Sequence, residues 1–280
     1  CEEATFLGST GTMRNHGASF ITVPCDENGM KVELLPALLD EARKQGRKAK
    51  YIYTIPNFHN PLGCTMSLER RHLLVRIAQE WGLPILEDDP YGYVRFDGEH
   101  LPTLFELDER GIVIYAGSFS KILAPGTRVG WAAGDREIIR KMAIFKQAVD
   151  VCTSVIAQAQ VYKYCEMGFL DAFLPKIIAH YRKKRDDFET AMRSYLPLGE
   201  VSWVKPQGGY FYWLQTPRIP AKDLFERAIE KQVAFVLGEP FFPNGGGENA
   251  FRMCFTFASP EQTEEGMKRL GDAMRDCLSR

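Results

Sequence analysis

Three short stretches of this 280-residue chain carry side chains that could act on one small molecule. Gly117-Ser118-Phe119-Ser120-Lys121 is followed by Ala124-Pro125-Gly126-Thr127-Arg128, and together they supply three hydroxyls, an amine and a guanidinium. Asp88-Asp89-Pro90-Tyr91 adds carboxylates and a phenol, and Pro56-Asn57-Phe58-His59-Asn60-Pro61-Leu62-Gly63 adds an amide in a turn. A lysine amine condenses with a carbonyl to form a Schiff base. A carboxylate facing a pyridine nitrogen keeps that nitrogen protonated, so the ring accepts electrons. An amide and a phenol can hydrogen-bond a phenolate oxygen, and serine hydroxyls beside an arginine fork suit a phosphate. Each stretch alone has a plainer reading: Asn-Pro and Gly make turns, and a lysine after a strand is usually solvated. Their shared placement along one sheet edge is what implies a site.

The elements that must position them are short apolar strands. Residues 50–55 (KYIYTI, ended by Pro56), 84–87 (PILE) and 112–116 (IVIYA) read as strands, each just before one of the three stretches. Ligands of open parallel sheets sit beyond the carboxyl ends of the strands, which is where these residues fall. Residues 18–23 (ASFITV) predict another strand, Asp26–Gly29 a turn and 33–45 a helix. Ser67 is a candidate N-cap for a helix with Leu74, Ile77, Ala78 and Trp81 on one face and Gly82 as its stop. This alternation predicts an α/β fold with a mainly parallel sheet covered by helices. From about residue 135 the pattern changes. Residues 135–149 and 153–195 read as helical, followed by strands at 201–204, 209–214, 233–237 and 251–257 and helices at 221–231 and 260–277. That is the pattern of a smaller α+β domain. The basic run Arg182–Arg185 reads as a solvated helix face, and Gly245–Gly247, which opens no helix, as a plain loop.

Composition narrows the classes of function. A hydrophobic fraction of 45% allows a sizeable core, and a formal net charge of -1 gives no electrostatic support for nucleic-acid or anionic-membrane binding. No apolar run is long enough to span a bilayer, and residues 1–15 lack the basic-then-apolar pattern of a secretory signal. The seven cysteines (Cys1, Cys25, Cys64, Cys152, Cys165, Cys254 and Cys277) are scattered and form no C-x-x-C, so reduced thiols of a cytoplasmic protein are expected, with no disulfide framework and no metal site. Cys165 has no histidine near it in sequence and is a poor candidate nucleophile.

The same motifs bear a family likeness. The sequence resembles the fold-type I pyridoxal-phosphate enzymes, specifically the class I/II aminotransferases, and within them the 2-aminoadipate, kynurenine and aromatic aminotransferase subgroup. The likeness runs through CEEATF (1–6), DENGMKVE (26–33), YTIPNFHNPLG (53–63), EDDPYGYVRFDG (87–98), GSFSKILAPGTRVGW (117–131), PQGGYFYW (206–213) and AFRMCFTFASPEQTEEGMKRL (250–270), essentially the whole chain. It implies a three-layer, mainly parallel sheet in a transferase large domain, residues 1–168, with a smaller C-terminal α+β domain, residues 169–280. It also implies pyridoxal 5′-phosphate as cofactor and transfer of an amino group between an L-amino acid and a 2-oxo acid through a Schiff base on Lys121. By the same resemblance Lys121 is also the base that moves the substrate proton, and Asp88 pairs with the pyridine nitrogen. Tyr91 and Asn60 hold the ring hydroxyl oxygen, Ser118, Ser120 and Arg128 bind the phosphate, and Arg252 clamps the substrate α-carboxylate, with Asn60 beside it. A cytoplasmic homodimer is expected. The family's chains begin upstream of this one, so the chain is expected to be an N-terminally truncated large domain whose ring-stacking aromatic lies outside it. Ala4 stands where the family usually has Pro, and Leu62 where Thr is common.

Other residues and readings carry less. Asp89 is expected to form a turn, His59 to pack its loop, and Tyr210–Trp213 to pack a strand whose one face could line the substrate site. Phe241 and Phe242 resemble a substrate-side loop. A lyase on the same fold is an alternative, because the α-bond that breaks is set by geometry. So is the effector domain of a MocR-type transcriptional regulator, which would need an upstream DNA-binding segment. Ser118-x-x-Lys121 matches the S-x-x-K of serine acylases, but neither S-D-N nor K-T-G occurs in the chain.

Overall fold

The computed structural model describes residues 1–279. A small hairpin of β1 (Cys25–Asp26) and β2 (Gly29–Met30) precedes a four-stranded sheet. That sheet is built from β3 (Ile52–Thr54), β4 (Ile85–Asp88), β5 (Val113–Ser118) and β6 (Gly130–Ala133) in spatial order 3-4-5-6. β3, β4 and β5 run parallel, whereas β6 returns antiparallel to β5. A second sheet, wholly antiparallel, takes β7 (Ser202–Trp203), β8 (Phe211–Gln215), β9 (Val236–Leu237) and β10 (Ala250–Cys254) in order 7-8-10-9. The helices are α1 (Leu7–Asn15), α2 (Leu35–Lys44), α3 (Leu68–Trp81), α4 (Leu104–Leu107), α5 (Arg136–Asp150), α6 (Val155–Glu166), α7 (Phe169–Tyr195), α8 (Ala221–Glu230) and α9 (Pro260–Leu278). Among the described residues no helix is long and apolar enough to cross a membrane.

Strand alternation sorts the first sheet into two faces. Ile52, Ile85 and Val113 point to a core shared with Leu39 of α2, Leu74 and Ala78 of α3 and Leu104 of α4. Glu87 lies on that face too, fully buried, and its two oxygens accept from the N–H groups of Leu104 and Phe105 at 2.9 Å each. Burial pushes its carboxyl up to about 7. The opposite face carries Tyr53, Asp88, Ala116 and Ser118. α3 begins and ends where the sequence predicts: the Ser67 hydroxyl accepts from the Arg70 N–H, and Gly82 closes the helix in the left-handed region at φ 61°.

Other elements depart from expectation. Residues 18–23 form no strand, and only Val23 makes a bridge, to Glu2. Phe20 and Val23 are buried there without a neighbouring ladder, and β-rich composition without a pairing partner makes no strand. β6 was not legible in Gly130-Trp131-Ala132-Ala133, which lacks β-branched residues; it forms because β5 pairs with it and Gly117 leaves room for the Trp131 ring, 2.2 Å from where a Cβ would sit. The helical stretch expected over 153–195 is divided at Gly168, which lies at φ 71°, into α6 and α7.

The basic run on α7 is not a solvated face. Arg185 is buried: its guanidinium pairs with Asp97 and with Asp186 (2.8 Å), donates to the Pro206 carbonyl at 2.8 Å and lies 5.2 Å from the Phe96 ring centre. Arg182 donates to the Phe96 carbonyl. A helical wheel counts charges but cannot see that the 94–97 and 206–209 segments are laid against this turn of α7, where Arg95 bridges Gly208. Gly208 and Gly209 are needed there: a Cβ on Gly209 would come 2.6 Å from Phe58. Arg185→Ala is expected to destabilise the protein by about 2–4 kcal/mol, because it leaves a void and an unpartnered carbonyl. Thermal melting checks it, and a change under about 0.5 kcal/mol would place Arg185 among ordinary surface residues.

Candidate active site

The strand after which each motif falls delivers its side chains to one region. The first loop follows β3. Asn60 there is buried, and its Oδ1 accepts from Arg252 Nη1 at 2.7 Å. Arg252 comes from β10 of the second sheet, where it is registered against Trp213 of β8. Its guanidinium lies 4.1 Å from the centre of the Phe211 ring and 5.0 Å from that of Phe241. Burial pulls its pKa below the ordinary value, partly offset by Tyr91 and Cys254. Among the described residues it has no carboxylate partner. A guanidinium on an aromatic floor, held by an amide and with donors to spare, is built to take a carboxylate from outside.

The second loop follows β4. Asp88 is that strand's last residue, and Tyr53, from the neighbouring β3, donates its hydroxyl to Asp88 Oδ2 at 2.6 Å. Burial raises the Asp88 pKa; Asp89 and Glu2 push the same way, while the Tyr53 hydrogen bond and His59 oppose. Asp89 points to the other face, as strand alternation requires, but it does more than shape a turn. It is buried and accepts from Asn57 Nδ2 and the Tyr115 hydroxyl, both at 3.1 Å. Asn57 in turn accepts from the fully buried Arg71 at 2.6 Å. This network fixes the loop from behind. Tyr91 is buried, edge-on to Tyr210 (5.5 Å) and Phe211 (5.9 Å), and burial raises its phenol pKa, so it remains a hydroxyl.

The third loop follows β5. Ser118 ends the strand, and its hydroxyl accepts from the Ser120 N–H at 3.1 Å. Arg128 is exposed, in the left-handed region at φ 53°, with Nη1 3.4 Å from the Ser120 hydroxyl and 3.2 Å from the Pro125 carbonyl. Two hydroxyls and a solvent-facing guanidinium thus converge on one spot. Lys121 Nζ stands 5.9 Å from the centre of the Tyr91 ring, and its backbone carbonyl accepts the Tyr210 hydroxyl at 2.5 Å. Among the described residues the amine has no acidic partner.

Contacts therefore link the candidates named from sequence. Lys121 touches Tyr91, Tyr91 packs on Phe211, Phe211 underlies Arg252, and Arg252 binds Asn60. Asp88 lies on the same sheet face as Ser118 and acts electrostatically on Tyr91, and Ser118, Ser120 and Arg128 cluster on the Lys121 loop, where their donors could take an anion. The donor set fits a flat aromatic carbonyl compound bearing a phosphate: an amine, a carboxylate for a ring nitrogen, hydroxyl and amide groups, and an anion corner. Sequence reasoning missed Tyr53 and Tyr210. The signal for Tyr53 was parity, since it alternates with Ile52 and Thr54 and so shares the Asp88 face; Tyr210 reaches Lys121 only through the packing of the second sheet on the first. His59 is buried, as loop packing implied, with Nε2 3.6 Å from the Glu2 carboxylate. Desolvation and the nearby Asp171 raise the Cys165 thiol pKa, which disfavours the thiolate a nucleophile needs.

Comparison with known proteins gives a consistent picture. A family model described as aminotransferase class I and II matches residues 4–270. An aromatic-amino-acid aminotransferase of Thermococcus litoralis is 42% identical over 280 residues, covering 100% of this chain and 67% of that protein. A 2-aminoadipate transaminase of Thermus thermophilus is 38% identical over 99% of this chain and 69% of its own length. The crystal structure of Pyrococcus horikoshii kynurenine aminotransferase, in complex with PMP, aligns with a TM-score of 0.95 at 42% identity over 98% of this chain and 68% of that one. The chain thus spans about two thirds of the length of these relatives.

Proposed function

From the premise that this chain belongs to the class I and II aminotransferases and is an enzyme of amino-group transfer, we propose that it works with pyridoxal 5′-phosphate held on Lys121. The observation that supports this reading is the contact path from the Lys121 amine through Tyr91 and Phe211 to the Arg252 guanidinium, two cations that have no carboxylate partner among the described residues. It provides one attachment point for a carbonyl and one for a carboxylate. When bound, the cofactor supplies the carbonyl that takes up the amino group and a ring that accepts electrons. Asp88 holds the ring nitrogen's proton. Tyr91 and Asn60 orient the ring through its hydroxyl oxygen, and Ser118, Ser120 and Arg128 fix the phosphate. Arg252 binds the α-carboxylate of an amino or oxo acid, and Lys121 Nζ carries the proton to and from the substrate α-carbon.

The reading includes residues 1–168 as the cofactor-binding large domain and 169–280 as the small domain. It also includes a homodimer, supported by the apolar surface of α5 and α6, where Phe145 is 61%, Val149 68% and Ile156 73% exposed. Aromatic amino acids and 2-aminoadipate are the first donors to try, because the relatives are named for them. The test is a half-reaction. The protein loaded with pyridoxal phosphate is expected to lose its near-visible absorbance on adding an aromatic L-amino acid and regain it with 2-oxoglutarate. Release of carbon dioxide or ammonia in place of that cycle would make the chain a lyase.

A further inference from the structure

Resting on the reading of Asp88 given above, we propose that Tyr53 is a positioning residue acting through Asp88: its hydroxyl holds Oδ2 and leaves Oδ1 presented to the protonated ring nitrogen of a pyridine cofactor. The two residues sit on adjacent parallel strands. Tyr53 is registered against Leu86, and Asp88 lies two positions further along that face, so the phenol reaches across one strand to the carboxylate at 2.6 Å. Among the described residues Oδ1 accepts no hydrogen bond. Tyr53 is only 3% exposed, and its hydroxyl is tied to Asp88. Its ring belongs to the sheet face that also carries Asp88.

The surroundings explain why such a donor is needed. Asp89 follows Asp88 directly, and Glu2 comes from the N-terminal segment; both are acidic and favour a proton on Asp88. His59, on the loop after β3, opposes them but stands 3.6 Å from Glu2, while Tyr91 stays a neutral hydroxyl. The Tyr53 hydroxyl is the hydrogen bond that keeps Asp88 ionised and fixes which oxygen is free. Burial and the neighbouring carboxylate keep the Tyr53 phenol itself protonated, so it remains a donor.

The test starts with the cofactor-free protein. The Asp88 carboxyl resonance, identified in ¹³C-aspartate-labelled protein by its loss in Asp88→Asn, is titrated with and without Tyr53→Phe. The midpoint is expected to rise by about one to two pH units in the variant, the effect of losing one hydrogen bond to a charged group. In loaded enzyme the same variant is expected to lose about tenfold in kcat while KM for the amino donor changes less than about twofold. A folded Tyr53→Phe protein with an unmoved Asp88 midpoint overturns the proposal. Should the variant not fold, the unsubstituted protein decides: the Tyr53 ¹³Cζ resonance must shift with the same midpoint as Asp88, and an independent shift overturns the proposal. A coupled Asp88 midpoint in a protein that never captures pyridoxal phosphate on Lys121 would instead overturn the reading of the site and leave the Tyr53–Asp88 pairing standing.

Discussion

Lys121→Ala is expected to lower amino-transfer turnover by about 10⁴-fold, the upper end of what a lost proton-transfer group costs, because on the proposed reading the same amine also anchors the cofactor. The fold should not notice. The Lys121 side chain is half-buried at the loop surface, and the Tyr210 hydrogen bond is made to its backbone carbonyl, which alanine keeps. Thermal stability is therefore expected to stay within about 0.5 kcal/mol. Lys121→Arg separates charge from chemistry: it preserves a cation beside Tyr91 but cannot condense with a carbonyl, and it should be as inactive as the alanine variant. Stopped-flow turnover with an aromatic amino acid and 2-oxoglutarate, with a melting curve for each variant, decides it. A Lys121→Ala protein that keeps more than about a hundredth of the activity would show that another amine does the work.

Asp88→Asn comes next in size, with an expected loss of about 10²–10³-fold in kcat, the range for deleting one preorganised electrostatic group. The amide has the same shape and still accepts from Tyr53, so packing is preserved while the charge is removed. The effect on stability should run the other way. Burial raises the Asp88 pKa, aided by Asp89 and Glu2. A carboxyl with a raised folded-state pKa stabilises the fold at pH below its ordinary value, and that contribution is lost as pH rises through the raised value. At neutral pH the ionised Asp88 of the cofactor-free protein is thus a cost that asparagine lacks. The Asp88→Asn protein is expected to gain in Tm relative to the unsubstituted chain as pH rises from acid to neutral. A relative loss over that interval would mean that the charge is compensated in the fold and that Asp88 serves structure first.

What could be read along the chain is what local chemistry dictates. The Ser67 cap and the Gly82 stop bound α3, and the apolar runs ending at Pro56, Asp88 and Ser118 mark β3, β4 and β5. The side chains just past those strands were bound to share one edge, because parallel strands present their carboxyl ends together. The candidate groups at Lys121, Asp88, Asn60, Tyr91, Ser118, Ser120 and Arg128 were legible for that reason, whereas Arg252, on β10 of the antiparallel sheet, was named from the family likeness alone. β6 and the unformed strand over 18–23 were not legible, since a strand is decided by whether a partner pairs with it and not by its own composition.

The amino-acid sequence by itself determined the functional groups and the order in which three strand ends deliver them. Tertiary structure alone decided which of these groups are paired and which are free. It buried Arg185, read from sequence as part of a solvated face, and Asp89, read as a turn residue, and uses both to hold segments together. Among the described residues it left Lys121 and Arg252 without acidic partners, and it brought Tyr53 to Asp88 and Tyr210 to Lys121 across elements. The physical reason is that hydrogen bonds and desolvation act through space over a few ångströms, whereas periodicity and capping act along the backbone over a few residues.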